Sequence, residues 1–225
     1  MEHPMAGRSS RTNGAKVRFD ADEAISHLRE RDPKLGPLLD RIGAFRLKLD
    51  GTATPFAALC ESIIYQQITG KAAASIAGRF RDRVGDGRFP PPERVLEAPD
   101  ALLREVGLSR GKCAALRDLA AKSLDGTVPE MRRLRTMEDD VIVERLTQVR
   151  GIGRWTAEMF LIFQLGRLDV WPVDDYGVRS GYAIAYGLDD LPTPKQLVVL
   201  GEPFRPCRSI AAWYCWRAVE AARSA

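Results

Sequence analysis

The chain has 225 residues, enough for one large domain or two small lobes with a buried core. Its 45% hydrophobic content is ordinary for a globular protein, and no apolar run reaches the ~20 residues that a membrane-spanning helix requires. Net charge is +4, with 34 Lys and Arg against 30 Asp and Glu, a surplus that permits a nucleic-acid partner without establishing one. The four cysteines form no CxxC pair and there are only two histidines, so the pattern gives neither a zinc cluster nor a disulfide framework. Reduced thiols and an N-terminus without an apolar signal region fit a cytoplasmic or nuclear protein.

Residues 1–17 are polar and read as a disordered basic tail, and residues 18–225 as a single domain. Asp20 is expected to cap a helix carrying Ile25 and Leu28. Thr54 and Pro55 are an N-cap and a first-turn proline, followed by Phe56, Leu59, Ile63 and Ile64 at helical spacing. Thr69-Gly70 interrupts, and an alanine-rich helix runs from Lys71 to Phe80. Gly85–Pro92, with its glycines and prolines, reads as a loop. Asp100 is expected to cap a short helix that stops at Gly107. Ser109 caps the next, which carries Leu116, Leu119 and Ala120 on one face. Asp139 or Asp140 starts another, with Ile142, Leu146 and Val149 in register. After a break at 149–153, a helix shows Trp155, Met159, Ile162 and Phe163 on one side. Arg205 to Ala222 forms the last helix, with Trp213 and Trp216. No alternating strand run is present, so the expected class is all-α in two helical lobes.

Gly151 and Gly153 flank Ile152 between two helices, where a tight turn needs positive φ and close backbone approach. The N–H groups of Gly153, Arg154 and Trp155 at the following helix start form an anion site suited to a DNA phosphate. Carbonyls of Thr147, Val149 and Ile152 on the other side of the turn are candidates to bind a monovalent cation. A plain helix–turn–helix corner has the same local pattern. Asp174 and Asp175 follow Pro172, and either can cap a helix starting near Tyr176. Adjacent side chains point differently, which would leave one for capping and the other for a cleft.

LTQVRGIGRWTAEMFLIF (146–163) and WPVDDYGVR (171–179) resemble the helix–hairpin–helix and Gly/Pro-Asp elements of a DNA glycosylase superfamily named for them. SIIYQQITGKAA (62–73), GLSRGKCAALRDLA (107–120) and RPCRSIAAWYCWR (205–217) resemble its DNA-3-methyladenine glycosylase II branch. The resemblance covers about residues 50–217. It implies a bilobed all-helical fold with an active-site cleft between the lobes and the helix–hairpin–helix at about 140–165, without the extra N-terminal domain of some members. It also implies a monomer acting on double-stranded DNA with damaged bases, with no membrane partner.

By this resemblance Asp175 is the catalytic carboxylate and Asp174 its structural neighbour. Members that also cleave the backbone carry a Schiff-base lysine where this chain has Trp155. A monofunctional hydrolase is therefore expected, which releases alkylated purines such as 3-methyladenine or 7-methylguanine and leaves an abasic site. The motif gives Lys71 and Lys112 no nucleophilic role. Trp155, Tyr65, Tyr176 and Trp213 are candidates for an electron-rich wall that stacks on a cationic base. Cys207 stands where the family usually has an aromatic residue, which would widen the base pocket. Gln67 is the expected wedge filling the gap left by a flipped base, with Gln66 turned inward. Gly70, Lys71, Arg208 and Ser209 are further candidates for phosphate contacts. A sister type holds an iron–sulfur cluster through four closely spaced C-terminal cysteines. Only Cys207 and Cys215 lie there, so no such cluster and no other cofactor is expected. The alternatives are a glycosylase for a deaminated or oxidised base, a non-catalytic helix–hairpin–helix DNA-binding module, and a structural helical protein.

Overall fold

Short polar caps and first-turn prolines, whose missing N–H costs nothing there, set most helix starts. The computed structural model describes residues 21–51 and 54–224, and among these there is no strand. The tail at 1–17 and the Asp20 cap lie outside the described residues. The α-helices are α1 (Ala21–Arg31), α2 (Gly36–Ile42), α3 (Pro55–Tyr65), α4 (Gly70–Val84), α5 (Pro92–Glu97), α6 (Asp100–Glu105), α7 (Arg110–Leu124), α8 (Met131–Leu134), α9 (Asp139–Leu146), α10 (Arg154–Phe163), α11 (Tyr176–Tyr186), α12 (Pro194–Leu200) and α13 (Arg208–Arg223). None is long and apolar enough to cross a membrane.

The chain divides into two units. One spans Asp50–Leu165 and contains α3 to α10. Its central helix, α3, starts where Thr54 Oγ1 accepts the Ala57 N–H at 3.1 Å. It buries Phe56, Leu59, Ile63 and Ile64 and packs against α4, α7 and α10. Each such side chain contributes about 1.5–3 kcal/mol by leaving water. Thr69 and Ser109 cap α4 and α7 through the Ala72 and Lys112 N–H groups. Two local expectations need correcting. Pro92 does not merely end a loop: it opens α5, because proline at a first helical position starts a helix as readily as it breaks one. Asp100 is the first residue of α6 and not its cap, and its carboxylate instead takes the Arg117 guanidinium at 2.6 Å.

The other unit joins the described residues before Asp50 to those from Gly166 onward. Its core runs through Leu28, Leu35, Trp171, Val178, Leu197, Phe204 and Ile210. Tyr214, fully buried, donates its hydroxyl to the Gly43 carbonyl at 2.8 Å. Helices α11 and α13 form its main contact. They approach so closely at Gly181 that a Cβ there would stand 1.9 Å from the Cys215 carbonyl oxygen. The last helix begins at Arg208, later than the expected Arg205, with Cys207 as its N-cap residue.

Candidate functional site

In the unit of α3 to α10, the hairpin closes when the Ile152 N–H reaches the Val149 carbonyl at 3.0 Å. Ile152 is buried and pins the turn from inside. Gly151 has φ +81°, the left-handed region that its lack of Cβ makes inexpensive. Gly153 does not share that need: it is extended, at φ −91° and ψ 174°, as the N-cap of α10. It offers no side chain to cap the first N–H groups of that helix.

Two contacts brace the hairpin. Asp118 of α7 accepts the Arg150 N–H at 2.7 Å, and Lys122 holds the same carboxylate at 2.7 and 2.8 Å. Burial works to raise the Asp118 pKa, but these N–H donors and the lysine charge outweigh it and hold it below the usual carboxylate range. Gln66, just past α3, donates its Nε2 to the Gly151 carbonyl at 2.9 Å. Lys112 then closes the α3 terminus, its Nζ donating to the carbonyls of Ile64 at 2.7 Å and Gln66 at 2.8 Å. Burial lowers its pKa. These bonds fix the turn in which Gln67, exposed, adopts φ +57°. A non-glycine residue pays roughly 1–2 kcal/mol for that conformation.

A cavity of about 1200 Å³ opens in this same unit. Ala58, Glu61, Ser62 and Tyr65 reach it from one face of α3, and Trp155, Thr156 and Met159 from α10. The face expected for α10 is split: Trp155 and Met159 meet the cavity, whereas Ile162 is fully buried. Gln67, Phe89, Asp50 and Gln164 complete much of the wall. Gln164 Nε2 donates to Asp50 at 3.1 Å.

The acidic pair belongs to the other unit. Asp175 is 9% exposed, whereas Asp174 is exposed. Asp175 Oδ1 accepts the Val178 N–H at 2.8 Å, capping α11, and the Trp216 Nε1–H at 2.9 Å. The expected division of labour, one aspartate capping and the other facing a cleft, is therefore not how the helix start is built. Asp175 itself caps, and the two donors fix its carboxylate plane. Gly177 leaves room for this arrangement, since a Cβ there would stand 2.8 Å from Trp216 Cδ1 and 3.0 Å from Asp175 Oδ1.

Four further expected site residues, all near or on the last helix, have partners within this unit. Trp213 is 7% exposed and packs edge-on against Phe45 and Tyr214. Cys207 is buried in the same core, and burial pushes its thiol pKa up. Ser209 is 1% exposed, with its hydroxyl donating to the Arg167 carbonyl at 2.7 Å and accepting the Val170 N–H at 2.9 Å. Arg208 is held by the Asp169 carboxylate at 2.7 and 3.1 Å. All four lie at the start of the last helix or along it, with Trp213, Cys207 and Ser209 buried and Arg208 half-buried. Tyr176 is 65% exposed at the start of α11. Gly70 and Lys71 are exposed at the start of α4, and Arg154 pairs with the buried Glu158 at 2.9 Å. Sequence reasoning missed Asp50, Glu61, Asp118 and Trp216. Of these, Glu61 was findable, since it shares a helical face with Tyr65 four residues on.

An all-helical chain with a glycine hairpin opening one helix, and a Pro-x-x-Asp cap opening another, has the features of a helix–hairpin–helix protein. Residues 60–206 match the model of the HhH-GPD superfamily base excision DNA repair protein, and the chain belongs to that family. It is 34% identical over 196 residues to DNA-3-methyladenine glycosylase 1 of Schizosaccharomyces pombe, covering 87% of this chain and 86% of that one. A solved structure of the S. pombe 3-methyladenine DNA glycosylase in complex with abasic DNA matches with TM-score 0.78 and 34% identity over 87% of this chain and 95% of that one. The structure of a DNA-3-methyladenine glycosidase from Bacillus halodurans matches with TM-score 0.83 and 32% identity over 92% and 94%.

Proposed function

We propose that this protein is a monofunctional DNA glycosylase of base excision repair that flips alkylated purines out of duplex DNA and hydrolyses the N-glycosidic bond. The names its relatives carry support the alkylbase reaction class. The single observation that carries the mechanism is Asp175, a buried carboxylate held rigid by two N–H donors directly after the Pro172 turn. A fixed negative charge stabilises the oxocarbenium-like sugar as the base departs, and it orients the water that attacks. Purines methylated at N3 or N7 carry positive charge and leave with little acid assistance. Trp155 has no nucleophilic atom, so water and not the protein attacks the sugar, and no strand cleavage follows.

In this reading the cavity receives the flipped base, with Trp155 and Tyr65 as its aromatic walls. Gln67, carried outward by its left-handed backbone, fills the gap in the duplex. The N–H groups of Gly153, Arg154 and Trp155, together with Gly151, Ile152, Gly70 and Lys71, meet the phosphates. The neutral carbonyls of Thr147, Val149 and Ile152, at the negative end of α9, fit a monovalent cation, which would add positive charge beside a phosphate. No other cofactor is required, and the protein acts as a monomer. The test is incubation with methylated duplex DNA. Release of 3-methyladenine or 7-methylguanine, without nicking and without borohydride-trapped adduct, supports the reading. Nicking with trapping would overturn the hydrolytic mechanism.

A further inference from the structure

The hairpin and the turn after α3 are held by one circuit of bonds. Lys112 and Asp118 stand about 9 Å apart along the axis of α7. Asp118 takes the Arg150 N–H at 2.7 Å, and the next residue, Gly151, gives its carbonyl to Gln66 Nε2 at 2.9 Å. The Gln66 backbone carbonyl returns to α7 through Lys112 Nζ at 2.8 Å. These bonds bridge 32, 85 and 46 residues, so the circuit exists only in the folded chain. The peptide joining Gly151 to Ile152 is held at both ends. Its carbonyl accepts from Gln66, and its N–H donates to the Val149 carbonyl at 3.0 Å. A peptide is planar, so turning it away would break both bonds at once.

We propose that Lys112 and Gln66 are positioning residues that lock the hairpin and the Gln67 turn together, so that a phosphate seated on the hairpin sets where Gln67 enters the duplex. The entry of Gln67 rests on the wedge reading given above, whereas the locking of the two segments does not. Gln67 is exposed and holds φ +57°, a conformation that relaxes unless its neighbours are pinned. Gln66, immediately before it, is pinned on both sides: its side chain by the hairpin and its carbonyl by Lys112. The second bond of Lys112, to the Ile64 carbonyl at 2.7 Å, sets its ammonium at the negative end of α3. Burial lowers the Lys112 pKa, and the carbonyls that it meets offset the cost of keeping a charge there. A grip on the backbone and a probe of the base stack then share one frame, and neither shifts without the other.

The experiment cuts the circuit at two points in the full-length protein. Lys112→Met keeps the aliphatic stem and removes the donors, and Gln66→Leu removes the side-chain amide. The first readout is amide hydrogen exchange by NMR, without DNA, at Ile152, which is buried and bonded to Val149. Lys112 bonds to the end of α3 and not to the hairpin, so exchange about tenfold faster at Ile152 in Lys112→Met is the mark of locking. The second readout is single-turnover excision. Each variant should lose about tenfold on duplex DNA and less than about twofold on single strands, and the double variant should lose no more than either alone. Ile152 exchange unchanged in Lys112→Met, or duplex losses that multiply to about a hundredfold in the double variant, overturns the proposal. Should Lys112→Met fail to fold, Gln66→Leu decides alone: a duplex-selective loss supports the proposal and an equal loss on both DNA forms overturns it. Gln67→Gly separates the two readings, since equal loss on both forms there removes the wedge and leaves the exchange result to judge the locking.

Discussion

Gly177→Ala is the sharpest structural test of how Asp175 is held. The added methyl would stand 2.8 Å from Trp216 Cδ1 and 3.0 Å from Asp175 Oδ1, whereas ordinary contact begins at 3.4 Å. The indole must therefore retreat by about 0.6 Å, enough to stretch the 2.9 Å bond from Trp216 Nε1 to Asp175 to the edge of hydrogen bonding. A bond to a charged acceptor is worth about 1.5–3 kcal/mol, less where it is partly open to water. Alanine is about 1 kcal/mol better than glycine inside a helix, which offsets much of that loss in stability. The melting temperature should move by no more than about 3 °C in a chain of this size. Activity has no such offset, because a carboxylate displaced by a fraction of an ångström no longer meets the developing charge. Single-turnover release of 7-methylguanine should fall about ten- to a hundredfold. A variant that melts like wild type and excises within twofold of it would refute the argument that Trp216 and Gly177 set the carboxylate geometry.

Gln67→Gly removes the left-handed strain and the wedge together. Stability should hold or rise by up to ~1 kcal/mol in denaturant titrations, while excision from duplex DNA falls more than excision from single strands. Equal losses on both substrates would remove Gln67 from the wedge role. Asp118 tests the hairpin through pH. Its folded pKa is depressed, so its contribution to stability is present above the unfolded aspartate value and is lost as pH falls through the folded one. Asp118→Asn should thus lower the melting temperature at neutral pH and much less in strong acid. A penalty that does not change with pH would mean the carboxylate charge is not what braces Arg150.

Much of the fold was legible because its punctuation is local. Thr54-Pro55, Thr69-Gly70 and Ser109 announce helix starts in a few residues, and the apolar spacing of Phe56, Leu59 and Ile63 is set by one helix period. Pro92 and Asp100 misled for the same reason: a proline or an aspartate near a helix start has two meanings, and only the partner, such as Arg117, decides between them. The hairpin and Asp175 were legible because their motif lies in continuous sequence. The surroundings of Trp213, Arg208 and Ser209 were not legible, because they include residues distant in sequence, among them Asp169, Arg167 and Phe45. Trp216 was hidden for that reason too, since its bond to Asp175 spans 41 residues. Asp118 meets the hairpin across 32 residues, and no short-range pattern marks it.

The central claim is that Asp175 performs the chemistry, and Asp175→Asn tests it most directly. Asparagine keeps an acceptor oxygen for the Val178 N–H, so the α11 cap and the fold survive while the charge is lost. Both proteins are to be incubated with methylated duplex DNA under single-turnover conditions, with released bases quantified and thermal unfolding measured alongside. Release by wild type, slowed about a hundredfold or more in a stably folded Asp175→Asn, is the predicted result. Equal release by both would contradict the account and leave Asp175 as a helix cap alone.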